Sequence, residues 1–169
     1  MFRSQVLPSA ARLGLRRSVL AVLAACVLAA PVAAAPGPAD RAAYVVESRQ
    51  AALHLMGYYI GPLAGMARGK LPVELGTVES NATRIAELAL MLPEVFATDT
   101  RAFELETEAL PVIWDKQDEF NGKAASLEEK ARALATLAAG GKEDGIRAAI
   151  GAMGQACGSC HDDFRVDDE

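Results

Sequence analysis

Ile146-Arg147-Ala148-Ala149-Ile150-Gly151-Ala152-Met153-Gly154-Gln155-Ala156-Cys157-Gly158-Ser159-Cys160-His161-Asp162-Asp163-Phe164 decides the fold. Ile146, Ile150, Met153, Cys157, Cys160 and Phe164 recur at alternating steps of four and three, which marks one buried stripe on a helix. Both cysteines fall on that stripe one turn apart, with His161 four residues after Cys157. Cys157-x-x-Cys160-His161 is the attachment signature of haem c. The thiols add across the haem vinyl groups, and the neighbouring imidazole becomes the proximal iron ligand. A zinc site would need two further Cys or His ligands, and only Cys26 and His54 are available. A thioredoxin-like redox pair would need a βαβ context, which the pattern lacks. The expected cofactor is one haem c, attached on the packed side of the last helix with His161 as the metal ligand.

The same rhythm repeats upstream. A first helix is expected from Asp40 as N-cap to about Ala67, with Val46, Leu53 and Ile60 seven residues apart and Pro62 bending the last turn. A second spans about Val73 to Leu92, carrying Val78, Ala82, Ile85, Ala89 and Leu92, with Pro93 ending it. Residues 94–110 form a long connection without a clear period. A third runs from about Pro111 to Ala139 with Leu127, Ala131, Leu134 and Ala138 on its stripe, and stops at Gly140-Gly141. The fourth starts near Glu143 and reaches about Arg165. The fold class is therefore all-α, an antiparallel four-helix bundle with covalently bound haem c in its core. Aromatic residues make up only 5% of the chain, so the porphyrin must supply much of the buried apolar bulk. Phe96 and Trp114 read as pocket-lining or core aromatics, and Met66, Met91 and Met153 as core fillers.

Residues 1–34 read as a secretory signal peptide and 35–169 as the mature domain. Four arginines precede the apolar run Ser18–Ala30, and the small residues Val32-Ala33-Ala34-Ala35 follow it. The run is too short for a membrane span. Leu23-Ala24-Ala25-Cys26 also fits a lipoprotein processing box, but the apolar run continues past Cys26 where a polar linker would be expected. Arg16-Arg17 lacks the remainder of a twin-arginine signal, so ordinary export to the periplasm is expected. Cleavage takes four arginines from the 17 basic residues and none of the 22 acidic ones, leaving a formal charge of −9. Such a surface excludes nucleic acid and favours basic partners.

A C-x-x-C-H motif at the C-terminal end of an all-helical chain resembles cytochrome c′, the class II cytochromes c. Arg49-Gln50 with Leu53 and Met56, then Lys70-Leu71-Pro72, Leu92-Pro93 and Pro111-Val112-Ile113-Trp114, carry the likeness together with Cys157, Cys160, His161 and Arg165. The resemblance implies that Cys157 and Cys160 hold the thioethers and that Arg49 and Gln50 contact the haem propionates. It sets Glu108 near the haem edge and Arg165 beside the proximal face, where a helix-terminal charge is the competing explanation. At the position of Leu53, low-spin relatives carry a ligating Met and five-coordinate ones an apolar residue. Leu cannot bind iron, so a high-spin, five-coordinate centre with a covered distal face is expected. Met56 reads mainly as packing and only secondarily as a ligand, and His54 as solvent-facing.

Two functions follow from that resemblance. The first is a periplasmic protein that binds NO and CO and buffers NO. The alternative is a one-electron carrier serving a periplasmic redox partner. No acid–base pair stands on the distal stripe, so the protein is not expected to be an enzyme. The resemblance also implies a homodimer through the first two helices, with Ala42, Ala43, Tyr58 and Tyr59 as candidate contacts.

Overall fold

The computed structural model describes residues 35–166, so the signal peptide, Cys26 and the proposed cleavage site lie outside the described residues. Four helices follow in order: α1 (Pro38–Ala67), α2 (Leu75–Val95), α3 (Gln117–Ala139) and α4 (Ile146–Phe164). A short 3-10 turn, Pro111–Trp114, precedes α3. Each helix packs on the next and α4 closes back onto α1, completing the bundle. Among the described residues no strand occurs, only an isolated bridge between Ala109 and Arg165.

Local chemistry moves several helix ends away from the sequence-based expectation. Gly37, not Asp40, is the N-cap of α1; Pro38 occupies the first turn, where its missing N–H costs nothing. The Asp40 carboxylate reaches back and accepts the Gly37 N–H at 2.9 Å. Pro93 does not end α2, which continues to Val95. Near the helix end a proline's missing donor and its clash with the carbonyl four residues back are tolerated, and the Phe96 N–H still reaches the Leu92 carbonyl at 3.0 Å. The expected third helix is interrupted at Asp115 and Lys116. That break lets the Trp114 indole N–H and the Gln117 amide both donate to the Phe96 carbonyl, at 3.0 and 3.3 Å. α4 begins at Ile146 because Gly145 turns the chain at φ +83°, a conformation costly for any residue with a Cβ. It stops at Phe164, leaving Arg165 extended beside Ala109.

The stripes on α2 and α3 are buried as their periodicity requires, down to Val78, Ala82, Ala131 and Leu134 at 0% exposure. Met91 is the exception. It is 47% exposed, because it lies about 100° around α2 from the buried Leu92.

The core divides into two clusters. One gathers Leu63, Val78, Ile85, Leu134, Ile146 and Met153 with many alanines between them. The other is mainly aromatic: Phe96, Phe120 and Phe164 pack with Leu92, Ile113 and Ala124. Met56, Cys157 and Cys160 border these clusters, Met56 touching both.

Candidate haem-attachment site

Cys157 packs against the aliphatic cluster and Cys160 against the aromatic one, while Met56 of α1 touches both. The two thiols are half-buried. Burial pushes the Cys157 thiol up, and pushes that of Cys160 up to about 11, with the Lys123 cation opposing it there. Burial opposes the thiolate forms that a zinc site would require. Among the described residues no group of three or more Cys, His, Asp or Glu side chains converges on a point, so the donor set does not form a cage for a bare ion. Two thiols on a buried stripe and a single imidazole beside them fit haem c. His161 itself is exposed in the last turn of α4, and its carbonyl accepts the Arg165 N–H at 3.0 Å.

Across from α4, α1 contributes an apolar face. Leu53 precedes Met56 by three residues, so both share one side of the helix, and Leu53 is 40% exposed. His54 is exposed, as its position one step round the helix implies.

The other expected site residues fall into two groups. Arg49 is only 3% exposed. Its Nε donates to the Val95 carbonyl at 2.7 Å, Nη1 to Thr100 Oγ1 at 2.9 Å and Nη2 to the Thr98 carbonyl. The guanidinium carbon lies 4.9 and 5.0 Å from the Phe96 and Trp114 ring centres, in cation–π range. Burial lowers its pKa while Asp99 raises it. Arg49 thus ties α1 to the end of α2 and the start of the long connection. Gln50, exposed, donates to the Glu106 carbonyl at 3.0 Å. Glu108 and Arg165 are brought together: Arg165 Nε lies 2.8 Å from Glu108 Oε2. Two backbone bonds flank that pair, from the Leu110 N–H to the Phe164 carbonyl and from the Val166 N–H to the Glu108 carbonyl. The long connection is in this way fastened to the end of α4.

Lys123 of α3, which the sequence reading did not single out, donates to Ser159 between the two cysteines and pairs with Asp163. No local pattern marks it, because Lys123 and Ser159 are 36 residues apart. Arg49 did carry a signal of its own: an arginine in register with Val46, Leu53 and Met56 on an apolar stripe needs buried partners.

The match to known proteins agrees with this geometry. The family model described as cytochrome C′ matches residues 44–165. A cytochrome c′ of Cereibacter sphaeroides is 36% identical over 154 residues, covering 90% of this chain and 99% of that protein. A cytochrome c-554 of the same species is 36% identical over 126 residues, covering 73% and 94%. Among solved structures, cytochrome c′ from Shewanella frigidimarina superposes with a TM-score of 0.68 at 31% identity, over 75% of this chain and 97% of that one. A thiol pair set in a bundle seam and a family match running from Tyr44 to Arg165 converge on one conclusion: the chain belongs to the cytochrome c′ family and carries one haem c, bound covalently through Cys157 and Cys160.

Proposed function

We propose that this is a periplasmic gas-binding haem protein, five-coordinate and high-spin, that takes up NO and CO and buffers NO. Haem c, when bound, supplies an iron able to take a small axial ligand and to exchange one electron. His161 would be the proximal ligand in this reading, and the single observation that carries it is the leucine at position 53, where the low-spin members of the family carry a ligating Met. Leu53 offers a branched aliphatic side chain on the α1 face where an iron-binding thioether would otherwise stand. Its bulk excludes large or hydrogen-bond-dependent ligands and leaves steric fit as the selector. Met56, engaged in packing with both core clusters, serves as wall and not as ligand. Gln50 would border the propionates directly, and Arg49 would support them through the turn that it holds. Glu108 and Arg165 close the rim on the proximal side.

Replacing Leu53 with Ala tests the reading. CO affinity of the ferrous protein should rise at least ~10-fold, or about 1.4 kcal/mol, by flash photolysis or titration. An unchanged affinity means that Leu53 is not the distal cover. A low-spin ferric spectrum in the unmutated protein would overturn the five-coordinate assignment.

A second reading, one-electron transfer to a basic periplasmic partner, draws support from the exposed Gly158, Ser159 and His161. They set the attachment edge close to solvent, where electron exchange is short-range. A homodimer is part of the proposal as well. Tyr44, Leu55 and Tyr58 share one exposed face of α1, at 70%, 48% and 74%. Ala42, by contrast, is 5% exposed and belongs to the core, so it is removed from the candidate contacts.

A further inference from the structure

We propose that Lys123 is a positioning residue for the haem-bearing turn, and that with Asp163 it sets the charge at the attachment edge. Lys123 projects from α3, its side chain 25% exposed, and all three hydrogens of its ammonium have an acceptor on α4. They go to the Ser159 carbonyl at 3.1 Å, Ser159 Oγ at 2.7 Å and Asp163 Oδ2 at 2.6 Å. Ser159 stands between the two attachment cysteines, and Asp163 follows Cys160 by three residues on the same side of the helix. One ammonium therefore joins the residue before Cys160 to the residue three after it, on one face of α4.

A lone surface ion pair would contribute little, because water screens it and two long side chains lose freedom. This contact differs in kind. Three charge-assisted hydrogen bonds converge on one stretch of helix, and the shortest, to Asp163, is at the short end of what such pairs show. With haem attached, the Lys123–Asp163 pair would lie beside the cofactor edge held by Cys160, because Ser159 and Asp163 flank that cysteine. A cation favours the reduced iron and a carboxylate the oxidised iron. As a pair they nearly cancel, and either one alone does not.

Two measurements on the purified haem protein separate charge from position: the midpoint potential by spectroelectrochemistry, and hydrogen–deuterium exchange over residues 157–163. In K123M the potential falls, because Asp163 is left uncompensated, and exchange in that segment speeds at least tenfold. In D163N the potential rises, while the bonds to Ser159 keep exchange near native. In the K123M/D163N double variant the potential returns towards native but exchange stays fast. R132Q, which breaks the exposed Arg132–Glu128 pair on the same helix, moves neither quantity. The proposal is overturned if K123M leaves exchange unchanged, if both single variants shift the potential in one direction, or if R132Q shifts it as much as K123M. Should K123M fail to assemble, D163N decides alone, since an unmoved potential there refutes the electrostatic half.

Discussion

The aliphatic and aromatic ends of the core are built on different principles. Around Leu63, Ile85, Leu134 and Met153 the helices meet mainly through alanines and branched chains, with Asn81 donating to the Tyr59 carbonyl and Arg147 to the Met66 carbonyl at the margin. Around Phe96, Phe120 and Phe164 the packing is completed by side chains that reach across from other segments. The Phe96 and Phe120 ring centres lie 4.7 Å apart and those of Phe120 and Phe164 5.4 Å apart, and Arg49 covers Phe96 from α1. The first end is held by periodic helix packing. The second depends on a long connection that has no period and must be anchored residue by residue: by Arg49 at 95–100, by Gln50 at Glu106 and by Arg165 at Glu108. The cofactor turn of α4 bridges the two.

The comparison breaks most visibly at the aliphatic end. Leu134→Ala opens a cavity at a fully buried position and should cost about 2–5 kcal/mol in urea unfolding of the haem protein. A loss near zero would mean that this end repacks freely. At the other end, Arg49→Met should cost about 2–4 kcal/mol, since it orphans the Val95 and Thr98 carbonyls and Thr100 Oγ1 while keeping most of the volume. Hydrogen exchange should rise in 95–100 before it rises in α3. If the cost matches that of an ordinary surface change, the aromatic rings alone hold the connection. Gly145→Ala sharpens the contrast from the turn before α4, where a left-handed φ should make the substitution cost about 1 kcal/mol by thermal melting. Glu108→Gln is the mildest. Its pair with Arg165 is largely exposed, so a loss of at most about 1 kcal/mol is expected, with the backbone bonds at 108–110 retained.

The differences in helix boundaries have the same origin as the differences in packing. Pro93 and the 111–117 stretch were expected to obey local rules. The Pro93 rule fails because a single absent donor is tolerated once the last turn is packed. The expected continuous helix from Pro111 is broken where Trp114 and Gln117 share one carbonyl of α2, a contact between segments about twenty residues apart. Met91 was expected in the core because it is apolar, yet the stripe through Leu92 had already determined which face of α2 is inside.

By itself the sequence determined the helical class, the buried stripes of α2, α3 and α4, and the cofactor. Each of these is written in short-range spacing: a period near 3.6, and two thiols and an imidazole within five residues. Only the tertiary structure decided that Arg49 is an internal clamp, that Glu108 and Arg165 form a pair, and that Lys123 grips the turn between the cysteines. Those contacts join residues 36 to 57 positions apart. Their partners are chosen by how the helices cross, and no local pattern records that.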